Sequence, residues 1–330
     1  MYTRARYAEP GLTSYRGARI RVLPTIPTKY LDTVAHGVLS GFDAALERFD
    51  AVLVCNAINA AFAFLPRLGG RTRVILNVDG LERKRRKWSA LGRLAYRLSE
   101  KLSTMVPDAV VSDARVIENY YRERYGFSSV FIPYGGDLPE PKGIETLERL
   151  GLAPERYVLY VSRLEPENNA DAVVRAYQDV PGTLPLVVVG DAPYAREYIA
   201  ALHRQAGPRV LFPGAVYGED YRQLLARAAV YVQATEVGGT HPALVEALGF
   251  GRVVCYNRSP ENEEVAGGVA LPFDVRHPET LTRLLAAVLD DPAGYSVWKD
   301  RARARVWERY RWEDVTTRYE ALLEGRPRIP

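Results

Sequence analysis

Twice along its 330 residues, this chain alternates short runs of Val, Ile and Leu with longer segments of helical periodicity. That grammar requires crossover connections, and crossovers build parallel sheets flanked by helices. In the first half, strand-like runs fall at 19–23, 51–55, 74–78, 109–112 and 130–133, with helical patterns at 31–48, 60–68, 90–105 and 116–125. The second half repeats the order, with strands at 157–161, 186–189, 210–212, 230–232 and 253–256. Its helical patterns fall at 170–178, 195–205, 221–228, 243–248 and 279–289. Between the halves, 134–143 (YGGDLPEPKG) has the Gly and Pro density of a linker. The expected fold class is α/β, with Rossmann-like domains at 1–138 and 139–311. Ligands of such sheets collect at the carboxyl ends of the strands, so two facing domains would share one ligand in an interdomain cleft.

Bulk properties narrow the function. No hydrophobic signal core opens the chain and no apolar run reaches membrane-spanning length, which makes a cytoplasmic protein the expectation. Cys55 and Cys255 lie far apart in apolar runs and are expected to be reduced and buried. The four histidines show no metal-ligand spacing, so no metal is expected. Residues 1–138 carry a formal charge of +8 and the remainder −4, which directs the first half towards an anionic partner. Much of the excess sits in Arg83, Lys84, Arg85, Arg86 and Lys87, followed by Trp88. Basic residues beside an interfacial Trp suit anionic headgroups, and a solvated helix entrance is the plainer alternative. No motif for nucleic acid accompanies the patch.

Two segments carry the candidate chemistry. After the strand at 230–232, Gly238, Gly239 and Thr240 form a small-residue turn before a helix opening near Pro242. Glycines allow close backbone approach, and a helix start directs N–H groups and positive dipole at an anion. Glu246, further along that helix, offers a carboxylate to sugar hydroxyls. In the first half, Asp79 follows the strand at 74–78, where it either accepts an acceptor-hydroxyl proton or serves as a turn residue before Gly80.

At this point the chain resembles a known family. The segments YVLYVSRLEPENN, LPLVVVGD, RVLFPGAVYGEDYRQLLARA, EVGGTHPALVEALGFG and RWEDVTTRYEALL stand in the order seen in retaining GT-B glycosyltransferases. KYLDTVAHGVLSG, LNVDGLERKRRKWS, VVSDARVIENYYRERYG and FIPYGGD resemble the bacterial rhamnosyltransferase-like group within them.

The resemblance implies site roles. Arg163 sits where the family clamps the donor diphosphate, and a guanidinium fork suits phosphate oxygens. Asn168 stands where many relatives place a second cation, so charge neutralisation must lean on Arg163, backbone amides or another base. Glu246 matches the second glutamate of an E-x7-E motif that holds ribose, whereas Gly238 replaces the first. Val216 and Tyr217 fall where relatives contact the nucleobase, and Gly190 ends the neighbouring strand. The final segment, 312–330, has Trp312, Val315, Tyr319 and Leu322 near helical spacing, and relatives cross this helix back to the first domain. The opening MYTRARYAEP resembles the segment after the family's second strand, so the N-terminal domain is expected to be truncated, leaving a strand edge unpaired. The recorded start then lies downstream of the true one, or the copy is degenerate.

The implied function is metal-independent transfer of a sugar such as rhamnose, with retention, from a nucleotide-sugar donor to a saccharide or lipid-linked saccharide, peripheral to the membrane. A nucleotide-sugar-binding regulatory protein and a GT-B sugar-nucleotide epimerase are the rival readings.

Overall fold

The computed structural model describes residues 1–326 except 6, 7, 9, 10, 27, 29, 30, 86 and 87. The first half contains β1 (Tyr2–Arg4), an exposed hairpin of β2 (Ser14–Tyr15) and β3 (Ala18–Arg19), β4 (Arg21–Leu23) and α1 (Leu31–Glu47). There follow β5 (Ala51–Cys55), β6 (Arg73–Asn77), α2 (Ala90–Ser103), β7 (Ala109–Ser112), α3 (Arg115–Tyr125) and β8 (Val130–Phe131). The second half runs α4 (Glu145–Arg149), β9 (Val158–Val161), α5 (Ala170–Gln178), β10 (Leu186–Val189), α6 (Arg196–Gln205) and β11 (Val210–Gly214). It continues with α7 (Gly218–Arg227), β12 (Val230–Gln233), α8 (Pro242–Gly249), β13 (Val253–Asn257), α9 (Pro260–Ala266) and β14 (Leu271–Phe273). Helices α10 (Pro278–Asp290), α11 (Ser296–Arg309) and α12 (Trp312–Leu323) complete the chain.

The six-stranded sheet has the order β11-β10-β9-β12-β13-β14 and is parallel throughout. Its strands are near-continuous apolar runs because helices cover both faces. On one face Leu224, Leu225, Leu244, Leu248 and Val306 pack together; on the other, Val173, Val174, Leu202, Leu281 and Leu285 do so. The chain starts at β9, winds outward to β11, then returns to β12 on the other side of β9. A crevice therefore opens at the carboxyl ends of β9 and β12, where the winding reverses.

The first half is organised around a parallel sheet of order β5-β6-β7-β8. Among the described residues β1 pairs only with β4 and β5 only with β6, so one edge of each is free. Leu53 on β5 is exposed. So is Cys55, contrary to the expectation of two buried thiols; Cys255 in central β13 is buried. The difference follows from position, since an edge strand cannot cover its own side chains.

Helix α12 packs on the first sheet. Val315 and Leu322 join Ile75, Val111 and Ile132 in one buried cluster. Arg73 Nε donates to the Leu322 carbonyl at 2.7 Å, and Asn77 Nδ2 donates to the Tyr319 hydroxyl at 2.8 Å. The linker is tied to the same junction, because Gly136 N donates to the Tyr310 carbonyl at 2.8 Å.

Candidate active site

The loop after β9 places Arg163 at the mouth of the crevice with its side chain largely exposed, its Nη1 3.9 Å from Glu165 Oε2. Asn168 departs from the expected donor contact. It is buried, and its Nδ2 donates to the Arg163 carbonyl at 2.6 Å while its own carbonyl accepts from the Tyr160 hydroxyl. The amide thus clamps the loop that carries Arg163. Gly190, at the end of β10, donates to the Gly214 carbonyl at 2.9 Å and holds that strand against β11.

The turn after β12 faces this loop. His241 caps α8, with Pro242 in the first helical position, where its missing N–H costs nothing. Buried Asn262 donates to the Thr235 and Asn257 carbonyls at 3.0 and 2.9 Å, which turns its Oδ1 towards His241 Nδ1 at 2.8 Å. That orientation puts the imidazole proton on Nδ1 and leaves Nε2 as a lone pair towards Gly238. Burial pushes the His241 pKa down, opposed by its hydrogen bond to Asn262. Along α8, Glu246 accepts from the Tyr221 hydroxyl of α7, and burial raises its pKa. Tyr217 stands at the N-cap of that same helix and is 82% exposed, and Val216 packs against the core beside it.

The first half closes on the turn. Asp79 has a left-handed backbone, φ +50°, braced by its N–H to Asn77 Oδ1 at 3.0 Å. Burial raises the Asp79 pKa, with Glu82 adding to it and Arg85 opposing. Beside it, a Cβ on Gly80 would lie 2.7 Å from the Gly238 carbonyl carbon, so backbone from the two halves meets with no room for side chains. Asp113, after β7, is the residue that sequence reasoning missed. It is 1% exposed and accepts from the Thr240 amide at 3.1 Å, while its carbonyl accepts from the Thr240 hydroxyl. Burial, then the neighbouring Asp79, raise its pKa to about 7. Thr240 therefore departs from the expected phosphate contact: both its donors bind Asp113. Among the described residues, the Gly238 and Gly239 amides make no hydrogen bond. Glu264 on α9 adds a second clasp, accepting from the Arg115 and Val116 amides at the start of α3.

The basic run is not a continuous surface patch. Arg83 pairs with Glu100 at 3.0 Å and with the Tyr120 hydroxyl, while buried Arg85 pairs with Glu82 at 2.6 Å. Lys84 is exposed, and the Trp88 ring packs tilted against Tyr96, at 53° with centroids 5.0 Å apart. Arg86 and Lys87 lie outside the described residues. Internal carboxylates have taken two of the charges expected at a membrane.

Residues 145–305 match the family of glycosyl transferases group 1. The structure resembles sucrose-phosphate synthase from Thermosynechococcus elongatus, with a TM-score of 0.81 at 18% identity over 98% of this chain and 88% of that one. The chain has the GT-B fold. HepE of Anabaena, solved with UDP-glucose, superposes on this GT-B chain with a TM-score of 0.76 at 17% identity, covering 93% of this chain and 86% of the other. Among curated relatives, O-antigen chain mannosyltransferase B of Escherichia coli is 29% identical over 66% of this chain and 59% of its own length. The match thus spans less than two thirds of that relative. A GDP-mannose-dependent phosphatidylinositol monomannoside mannosyltransferase of Corynebacterium glutamicum is 25% identical over 82% of this chain and 74% of its own. Residues 52–137 match a domain of unknown function, DUF1972.

Proposed function

We propose that this GT-B protein transfers a hexosyl group from a nucleotide-sugar donor to a saccharide or lipid-linked saccharide. What supports the reading is that Arg163 follows β9 and the Gly238–Gly239 turn and Glu246 follow β12, the two strands between which the winding reverses, with Asp79 next to Gly80 where the other half meets that turn. Glu246 is suited to ribose hydroxyls and the Tyr217 ring to the base. Arg163 and the glycine amides suit the diphosphate, whose developing charge they would stabilise as it leaves. Asp79, with its raised pKa, is suited to holding the acceptor hydroxyl's proton at the start of transfer. Curated relatives named as mannosyltransferases favour a mannosyl donor, and the rhamnosyl resemblance makes dTDP-rhamnose the second candidate. Transfer is proposed to be metal-independent and retaining, with positioning supplying much of the rate.

The test is calorimetric titration with GDP, UDP and dTDP, then donor hydrolysis and transfer assays with the matching sugars in the presence of a chelator. Anomeric retention is read by NMR of the product. Absence of binding to every nucleoside diphosphate would refute the donor site. Donor isomerisation without transfer would favour an epimerase, and binding without turnover a regulatory protein.

Peripheral membrane association belongs to the same proposal, with its surface moved. Among the described residues no helix is long and apolar enough to cross a membrane. Helix α2, however, exposes Leu91, Leu94, Leu98 and Leu102 along one side, interleaved with exposed Arg93, Arg97 and Lys101. An apolar stripe flanked by cations suits the interface of an anionic bilayer, and it presents the cleft to a lipid-linked acceptor.

A further inference from the structure

We propose that Arg85, from the first half, supplies the second cation of the diphosphate subsite, and that Glu165 occupies that subsite until a ligand displaces it. The proposal rests on the donor-site reading above. Asn168, which carries no charge at the position where the resembled family places a second cation, donates to its own loop, so the second half offers Arg163 without a neighbour of that kind. Arg85 approaches from across the cleft. Its side chain is 8% exposed, and Glu82 holds its Nε at 2.6 Å, which fixes the guanidinium plane. Its buried Nη1 makes no hydrogen bond. That nitrogen lies 3.6 Å from Glu165 Oε2, and Arg163 Nη1 lies 3.9 Å from the same oxygen.

Two guanidinium groups from opposite halves thus converge on one carboxylate oxygen, with nitrogens no more than 7.5 Å apart. Both separations exceed hydrogen-bond length: the carboxylate sits between the cations without satisfying either. A diphosphate presents several anionic oxygens over a comparable span and can satisfy both forks at once. Its arrival places like charge beside Glu165, so that carboxylate must swing out as the ligand seats. Because Arg85 belongs to the first half, it grips the diphosphate only when the cleft is closed. Diphosphate binding then draws the halves together, whereas a nucleoside alone does not.

The experiment is calorimetric titration of the full chain with whichever nucleoside diphosphate the wild type binds, and with the corresponding nucleoside. Arg85→Ala is expected to weaken the diphosphate by about tenfold or more, the scale of a lost charged hydrogen bond, and to leave the nucleoside unchanged. Arg85→Lys, which keeps the charge but not the fork, is expected to recover part of the loss. Glu165→Gln removes the placeholder's charge and is expected to tighten the diphosphate several-fold. Unchanged diphosphate affinity in a folded Arg85→Ala protein overturns the assignment, as does equal weakening of diphosphate and nucleoside. If Arg85→Ala does not fold, a Glu165→Gln protein that binds no tighter than wild type overturns it instead. A wild type that binds no nucleoside diphosphate refutes the donor site itself, and this proposal with it.

Discussion

Asp113 gives the sharpest handle on how the two halves close. Its carboxyl is buried beside Asp79 against the Thr240 turn, and its pKa is raised from the ordinary 3.8 to about 7. Below about pH 4 the folded and unfolded chains both hold the proton. Between about pH 4 and about pH 7 only the folded chain holds it, so stability falls as pH rises through that window. Above it both states are ionised and the dependence on this group ends. A displacement of this size is worth on the order of 4 kcal/mol, as a ceiling. Asp113→Asn stays neutral at every pH and keeps an oxygen for the Thr240 amide. Its stability relative to wild type should therefore rise by about 2–4 kcal/mol between about pH 4 and about pH 8. Subtracting the two denaturant-unfolding profiles cancels most other titrating groups. A difference that stays constant across that range would refute the reasoning and place Asp113 in a wetter setting than its burial indicates.

Arg163→Ala is expected to weaken nucleoside diphosphate binding by about 1.5–3 kcal/mol, and unchanged calorimetric affinity in a folded protein would remove it from the donor site. Glu246→Gln is expected to weaken a nucleoside and its diphosphate alike by about 1–3 kcal/mol; a loss confined to the diphosphate would place Glu246 elsewhere. Replacing Leu94 and Leu98 of α2 together by Asp should abolish co-sedimentation with anionic vesicles, and wild-type binding should weaken with added salt; binding indifferent to both would exclude α2 as the membrane face. Leu322→Ala should destabilise the chain by about 2–4 kcal/mol and speed proteolysis within residues 51–131 first; cleavage starting in the second half would contradict the packing of α12.

The second sheet was legible because its strands are short, fully apolar and bounded by turns: β9, β10, β12 and β13 fall within a residue or two of the expected runs. Strand β14 was missed because it is three residues long with Pro272 in the middle. Helix α11 was missed because only Ala302 and Val306 are buried in it, too few for a stripe. At the proposed site, Arg163 and the 238–240 turn stand at strand ends, where ligands of such sheets collect, and the family resemblance is what singles out Arg163. The inward turn of Asn168 could not be read in the sequence, since an amide serves equally as a ligand contact or a loop clamp. Asp113 stood in view within VVSDAR, but its role arises from contact with Thr240, 127 residues away. The basic run misled because counting charges does not reveal that Arg83 folds back on Glu100.

The contacts that close the cleft are also the ones that surround the proposed donor site. Asp113 holds Thr240, Gly80 abuts Gly238, Glu264 caps α3 from the other half, and Arg85 reaches Glu165. With Gly80 and Gly238 in contact, no sugar can pass between them, so the donor must enter while these contacts are loosened. Opening therefore breaks hydrogen bonds at the Thr240 turn and at the start of α3, whose first amides then lose their partner. On the proposed assignment, a bound diphosphate would offset that loss by drawing Arg85 and Arg163 together. Affinity and closure are then one equilibrium, and the ligand shifts it only by its preference for the closed form. Replacing Glu264 by Gln should accordingly loosen closure and raise the rate of donor release, without touching any group that contacts the donor.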